Sequence, residues 1–170
     1  GENALNARKL ATVLGCSVQP IFHNFTSMEE LNKVIYNNIY KLYSDNMLNA
    51  AKRENLAYKE IGLAYIKFAK EHSEFFKMIF MKETNMNADT FMASGGPIKD
   101  IIEAGMILTK LSYEEQKLFH KKVWIFTHGI ACLVATNTIK FTDEEIDELL
   151  SNTVLELLSG LKNKGECKNE

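Results

Sequence analysis

His120, Trp124, His128 and Cys132 fall at successive four-residue steps, a spacing that puts them along one side of a helix. Imidazole and thiol groups in such a row raise a metal site first. A rise of about 1.5 Å per residue separates His120 from His128 by about 12 Å along the axis, so the two cannot share one ion. His128 and Cys132 could, but no third ligand accompanies them, and a zinc site needs three or four protein ligands. Packed or hydrogen-bonded side chains are the better reading, with His128 as a polar contact inside a pocket and Trp124 as its wall. No metal and no cofactor is expected. Catalysis finds as little support. The chain contains no HExxH, GxSxG, phosphate-binding loop or glycine-rich dinucleotide loop. His23, His72, His120 and His128 lie on separate turns or elements, with no evident Ser, Cys or Asp partner.

The elements that would position these side chains follow from composition and periodicity. A chain of 170 residues forms one or at most two domains, and 46% hydrophobic residues allow a substantial core. The formal net charge of −2 excludes a polybasic nucleic-acid binder, leaving only a local patch for such contact. Cys16, Cys132 and Cys167 are scattered and form no CxxC pair, which fits a reducing compartment. The longest apolar run, IACLVA, is far short of a bilayer span, and no secretory pattern opens the chain. A soluble, cytoplasmic protein without a membrane partner is expected.

Apolar residues recur at helical spacing, as in Leu31, Val34, Ile35, Ile39, Leu42 and Tyr43, or Ile61, Ala64, Tyr65 and Phe68. Sustained two-residue alternation is absent, so strands are not expected. Ser27-Met28-Glu29-Glu30, Ser112-Tyr113-Glu114-Glu115 and Thr142-Asp143-Glu144-Glu145 each fit a capping box. The predicted helices cover 6–14, 18–24, 28–50, 55–72, 74–81, 87–94, 97–110, 113–138 and 143–162, an all-α fold. SGGP at 94–97 breaks the chain between two of them.

Residues 7–26 fit a helix-turn-helix. Ala11 is small where two helices cross, Gly15 suits a turn with positive φ, and Ser17 can cap the second helix. Val18, Ile21, Phe22 and Phe25 supply apolar anchors, and Pro20 is tolerated in a first turn. Ser17, Gln19, His23 and Asn24 then point outward, and amides there can pair with adenine edges in a major groove.

LNARKLATVLGCSVQPIFHNFTSMEELNKVIY, residues 5–36, resembles the DNA-binding segment of TetR-family transcriptional regulators. Leu10-Ala11, Gly15, Ser17, Phe22, Phe25 and Ser27 before Glu30-Leu31 carry the likeness. AYIKFAKEHSEFFKMIF and WIFTHGIA are similar to a branch of that family with a Trp-x-x-x-His-Gly motif. The resemblance implies an all-helical homodimer with an N-terminal helix-turn-helix and a larger ligand-binding domain. It places the family's first helix before Gly1. It implies DNA contacts from Asn6, Arg8, Lys9, Ser17, Val18, Gln19, Pro20, Phe22, His23, Asn24 and Ser27. Phe22 stands where the family commonly has tyrosine, which loses a phosphate-binding hydroxyl, and Met28 where lysine is common, so a phosphate contact there would rely on Ser27 and the helix N-terminus. Residues 1–36 carry Arg8, Lys9 and Lys33 against Glu2, Glu29 and Glu30, a local balance of zero.

Residues 1–40 are thus expected to form a partial DNA-binding domain, 41–165 an effector-binding and dimerisation domain, and 166–170 a polar tail. Phe68, Phe75, Met78, Ile79, Met81, Met86, Phe91 and Met92 concentrate adaptable apolar groups. With Trp124 and His128 they are expected to line a pocket for a small hydrophobic effector. Gly129, Cys132, Ala135 and Thr136 are small enough for close helix approach. With Leu150, Val154, Leu157 and Leu158 they are the expected dimer interface. A twofold dimer places two reading helices at successive major grooves of double-stranded DNA, so the operator should be near-palindromic. The functional expectation is a ligand-responsive regulator, a repressor released by its effector. The alternatives are a helical protein–protein adaptor and, as the weakest, a small-molecule enzyme.

Overall fold

The structure is a computed structural model that describes residues 6–51, 57–87, 90 and 98–166. Eight helices occupy the described residues: α1 (Ala7–Leu14), α2 (Gln19–Asn24), α3 (Met28–Ala51), α4 (Ala57–Glu71), α5 (Ser73–Phe80), α6 (Ile98–Thr109), α7 (Tyr113–Ala135) and α8 (Asp143–Glu166). No strand occurs among those residues, so the chain is all-helical. The expected helix at 87–94 and the SGGP break lie almost wholly outside the described residues.

Local chemistry sets the helix ends. The Asn6 side chain accepts the Lys9 N–H at 2.9 Å and starts α1. Gly15 ends it with φ 65, and the N–H groups of Gly15 and Cys16 return to Thr12 and Ala11. Helix α2 differs from expectation at its start. Its N-cap is Val18 and no side chain caps it, so Ser17 does not fill that role. The compact helical turn at Val18 (φ −70, ψ −21) leaves Ser17 one residue too early. At α3, Ser27 Oγ accepts the Glu30 N–H at 3.1 Å, but the Glu30 carboxylate reaches past Ser27 to the N–H and hydroxyl of Thr26. Those two bonds hold the Glu30 carboxyl below its ordinary range. The boxes at Ser112/Glu115 and Thr142/Glu145 form in the expected reciprocal way. Helix α7 stops at Ala135, three residues short of the expected end, because Asn137 turns left-handed at φ 54 and its N–H returns to Val134. An asparagine tolerates that conformation better than most residues.

Two packed regions share one helix. Ala11, Ile21 and Leu31 form a small head core, with Val18, Phe25, Met28 and Ile35 against it. The larger core gathers Ile39, Tyr43 and Met47 of α3, Tyr65, Ile66, Phe68 and Ala69 of α4, Phe76, Ile79 and Phe80 of α5, and residues of α7 and α8. Ile35 packs against both, so α3 runs unbroken across the expected boundary at residue 40. Helix α4 lies centrally. A Cβ added at Gly62 would stand 3.3 Å from Leu150 Cδ1 and 3.7 Å from Thr127 Oγ1, so the missing side chain sets how closely α4 approaches α7 and α8. A polar seam crosses the α6–α7 junction, where buried Thr109 donates to Gln116 Oε1 at 2.6 Å and accepts the Leu111 N–H.

Gly15 has open space around it, so only its backbone conformation resists a side chain. Gly15→Ala is expected to lower stability by about 1–2 kcal/mol, and Gly15→Asn by less. Denaturant midpoints at constant m-value measure both.

Candidate functional site

The head presents α2 to solvent. Ile21 is buried against Ala11 and Leu31, while Gln19, Pro20, Phe22, His23 and Asn24 are exposed, as is Ser17 before the helix. Val18 is half-buried and serves the head core. Arg8 and Lys9 are exposed on α1, and no acidic residue lies between Asn6 and Met28. Three of the expected contacts already have intramolecular bonds. Asn6 holds Lys9, Ser27 holds Glu30, and the Asn24 amide donates to the Pro20 carbonyl at 2.8 Å. Gln19 and His23 are the other exposed polar side chains of α2.

The expected effector-binding residues do not form one lining. Ile79 belongs to the closed core, which corrects its assignment, and Phe68, equally buried there, also borders a cleft beside α3. Met78 packs against that core from its edge. Phe75 is exposed and stacks on His72 at 5.7 Å, and Met81 and Met86 face solvent. Phe91 and Met92 lie outside the described residues. Two shallow clefts flank α4. One of about 330 Å³ lies against α3, between Asn46, Asn49, Leu63 and Phe68. The other, about 360 Å³, has Leu63, Ile66 and Ile146 as its floor and Lys70 and Asp143 at its edge. Of the expected effector residues only Phe68 touches either cleft.

His128 and Trp124 do come together, in a setting that the sequence did not disclose. Their rings stack at 4.9 Å with an interplanar angle of 14°. His128 Nδ1 lies 2.8 Å from the hydroxyl of Tyr65, 63 residues away, and Nε2 lies 3.4 Å from Cys132 Sγ. Phe76 and Phe80 of α5 approach the imidazole at 5.8 and 6.0 Å. Burial dominates the electrostatics. It lowers the His128 pKa, raises that of the Cys132 thiol and lifts that of the Tyr65 phenol well above its ordinary value. In the tautomer that carries the imidazole proton on Nε2, the phenol donates to Nδ1 and the Nε2–H faces the sulfur. Proton transfer from Cys132 to His128 is unfavourable at both ends, so the pair suits hydrogen bonding better than nucleophilic attack. Among the described residues no group of three His, Cys, Asp or Glu side chains could hold a metal ion. The one hint in the sequence was a phenol hydroxyl at Tyr65 in an otherwise apolar stripe, which needs a partner once buried.

The expected dimer face also divides. Ala135 and Leu150 are fully packed inside the chain, so these two are reassigned to the interior, while Cys132 is half-buried with its sulfur toward His128. Gly62 is the reason for Leu150, whose methyls fill the space beside it. Val154, Leu157 and Leu158 are half-buried against Leu111, Phe119, Val123 and Leu161. Gly129 is open and Thr136 exposed. Further exposed apolar residues stand on the same two helices, Leu118 and Ile125 on α7 and Leu149 and Leu155 on α8.

No protein-family model, curated protein or solved structure matches the chain. Among the described residues no helix is long and apolar enough to cross a membrane.

His120 provides a test of this electrostatic picture. It is 9% exposed, and burial holds its imidazole down at about 4. The unfolded chain therefore binds a proton, at an ordinary histidine value near 6.5, that the folded chain refuses. Stability is complete above that value and falls as the pH drops toward 4, by about 3 kcal/mol across the interval. His128, also lowered, acts in the same direction. Urea titrations from neutral to acid pH should show this slope, and His120→Gln should flatten it.

Proposed function

We propose that this chain is a cytoplasmic, ligand-responsive DNA-binding regulator of the TetR type, acting as a homodimer on a near-palindromic operator. The supporting observation is the head itself: a left-handed glycine turn joins α1 to an α2 that buries Ile21 and leaves Gln19, Phe22, His23 and Asn24 outward. A short helix held from behind with amide and imidazole groups in front suits a major groove. Arg8 and Lys9, with no acidic residue between Asn6 and Met28, supply attraction for phosphate. Exposed Leu118, Ile125, Leu149 and Leu155, with open Gly129, give α7 and α8 a surface suited to a second copy. The effector reading rests on the Trp124–His128 stack, half-buried on α7. A small apolar molecule there would favour a conformation whose two heads no longer match the operator. The shift it causes is limited by its differential affinity for the two states.

Mobility-shift titration of the protein against DNA flanking its own gene, at modest ionic strength, tests the reading directly. A retarded, salt-sensitive band is expected. No shift on any fragment, from a preparation that circular dichroism shows to be helical and light scattering to be dimeric, would leave the adaptor or enzyme in its place. Gln19→Ala should cost about 1–3 kcal/mol on the preferred sequence and relax base preference. Trp124→Phe should alter effector response more than operator affinity, and equal loss of both would mark a folding or dimerisation defect.

A further inference from the structure

The same ring that stacks on Trp124 is tied to the helix that carries the head. Tyr65 of α4 is 3% exposed and bonds His128 of α7 through its hydroxyl. The Tyr65 ring meets Tyr43 of α3 edge-on, at 5.9 Å and 82°. Phe80 closes the group, at 5.1 Å from Tyr43, 5.3 Å from Tyr65 and 6.0 Å from His128. Tyr43 is itself 4% exposed, so neither tyrosine ring has room to turn independently of its neighbours. Along α3, Ile35, Ile39 and Tyr43 follow at four-residue steps, and Ile35 already belongs to the packing of the head. On the flank of α3, Tyr36 and Tyr40 stack, and Lys82, just beyond α5, sits 4.5 Å above the Tyr36 ring. Contact is therefore continuous from the Trp124–His128 stack to the base of the head, and one polar bond lies in it.

We propose that the Tyr65–His128 hydrogen bond is a latch that sets the seating of α3, and that an effector opens it by offering its own donor to His128 Nδ1. This rests on the regulator reading and adds to it the chemistry of the ligand: a small apolar molecule carrying one hydroxyl or N–H group. When Nδ1 takes the ligand's donor, the Tyr65 hydroxyl is left inside the core without an acceptor. Losing a partner there biases the seated and unseated arrangements by a factor of about 5–150. Tyr65 then has to move to find another acceptor, and Tyr43 and α3 must repack with it. Contiguity alone does not demonstrate coupling, so the latch has to be tested by the response of the distant head.

Hydrogen exchange followed by mass spectrometry measures that response without DNA or effector. Tyr65→Phe keeps the ring and removes only the hydroxyl, while His128→Phe removes the acceptor. Either should speed exchange in α1, α2 and the first half of α3 about fivefold. The double variant should do no more than either single one, because both break the same bond. Faster exchange confined to α4, α5 and α7 overturns the latch, and so do additive effects in the double variant. Tyr65→Phe alone decides the first point should His128→Phe fail to fold. A protein that shifts no DNA but shows the distant response keeps the latch and loses the regulator reading. One that shifts DNA while its head ignores Tyr65→Phe loses only the latch.

Discussion

Helix α4 has to lie against α3, α7 and α8 at once, and the hydrogen at Gly62 in place of a side chain is the constraint that permits it. With Leu150 methyls 3.3 and 3.7 Å from where a Cβ would be, even one carbon would force Leu150 to shift. That closeness brings Tyr65, one turn along, to the middle of α7, where its hydroxyl meets His128. It also brings the carboxylate of Asp147 on α8 to Lys59 at 2.7 Å and Asp143 to Lys70 at 2.8 Å. Both pairs are partly or well exposed and contribute little beyond registration of α4 against α8. Most of the stabilisation comes from the apolar core, which α4 enters through Tyr65, Ile66, Phe68 and Ala69.

The large core carries polar groups within and beside it. Two buried phenols, Tyr43 and Tyr65, with the half-buried imidazole of His128 and thiol of Cys132 at the edge, sit near phenylalanine rings, and burial disfavours the charged form of each. Neutrality is what makes the arrangement affordable in free energy, since an uncharged hydrogen bond offsets most of the loss of water. It also confines the cluster's chemistry. A base that resists protonation beside a thiol that resists ionisation can recognise a neutral polar group more readily than it can activate a nucleophile.

Much of the helical framework was legible in the sequence because its signals are local. Periodicity located α3, α4, α7 and α8, and Ser112 with Glu115 and Thr142 with Glu145 located two starts through bonds spanning three residues. Errors arose where two local signals competed. Ser17 is a good cap by type, yet the chain turned helical one residue later, at Val18. Asn137 ended α7 early through a left-handed turn that its flanking residues did not announce. Long-range facts were out of reach for a different reason. That Phe68 and Ile79 face the core while Met81 and Met86 face water depends on where α3 and α7 lie, which a run of aromatic and methionine residues does not encode. The Tyr65–His128 bond spans 63 residues and has no counterpart in spacing. Gly62 looked like any helical glycine until its neighbours were in place.

The head is held by few groups. Of the six residues in α2, only Ile21 is buried, and its anchors are Ala11 and Leu31. Gln19, Pro20, Phe22, His23 and Asn24 therefore stand almost outside the folding energetics of the rest of the chain. Substitutions there are cheap for stability, so the outer surface of α2 can diverge among descendants of this chain while Ile21, Gly15 and the α3 junction stay fixed. The exposed face of α2 can therefore change without any redesign of the body that carries it.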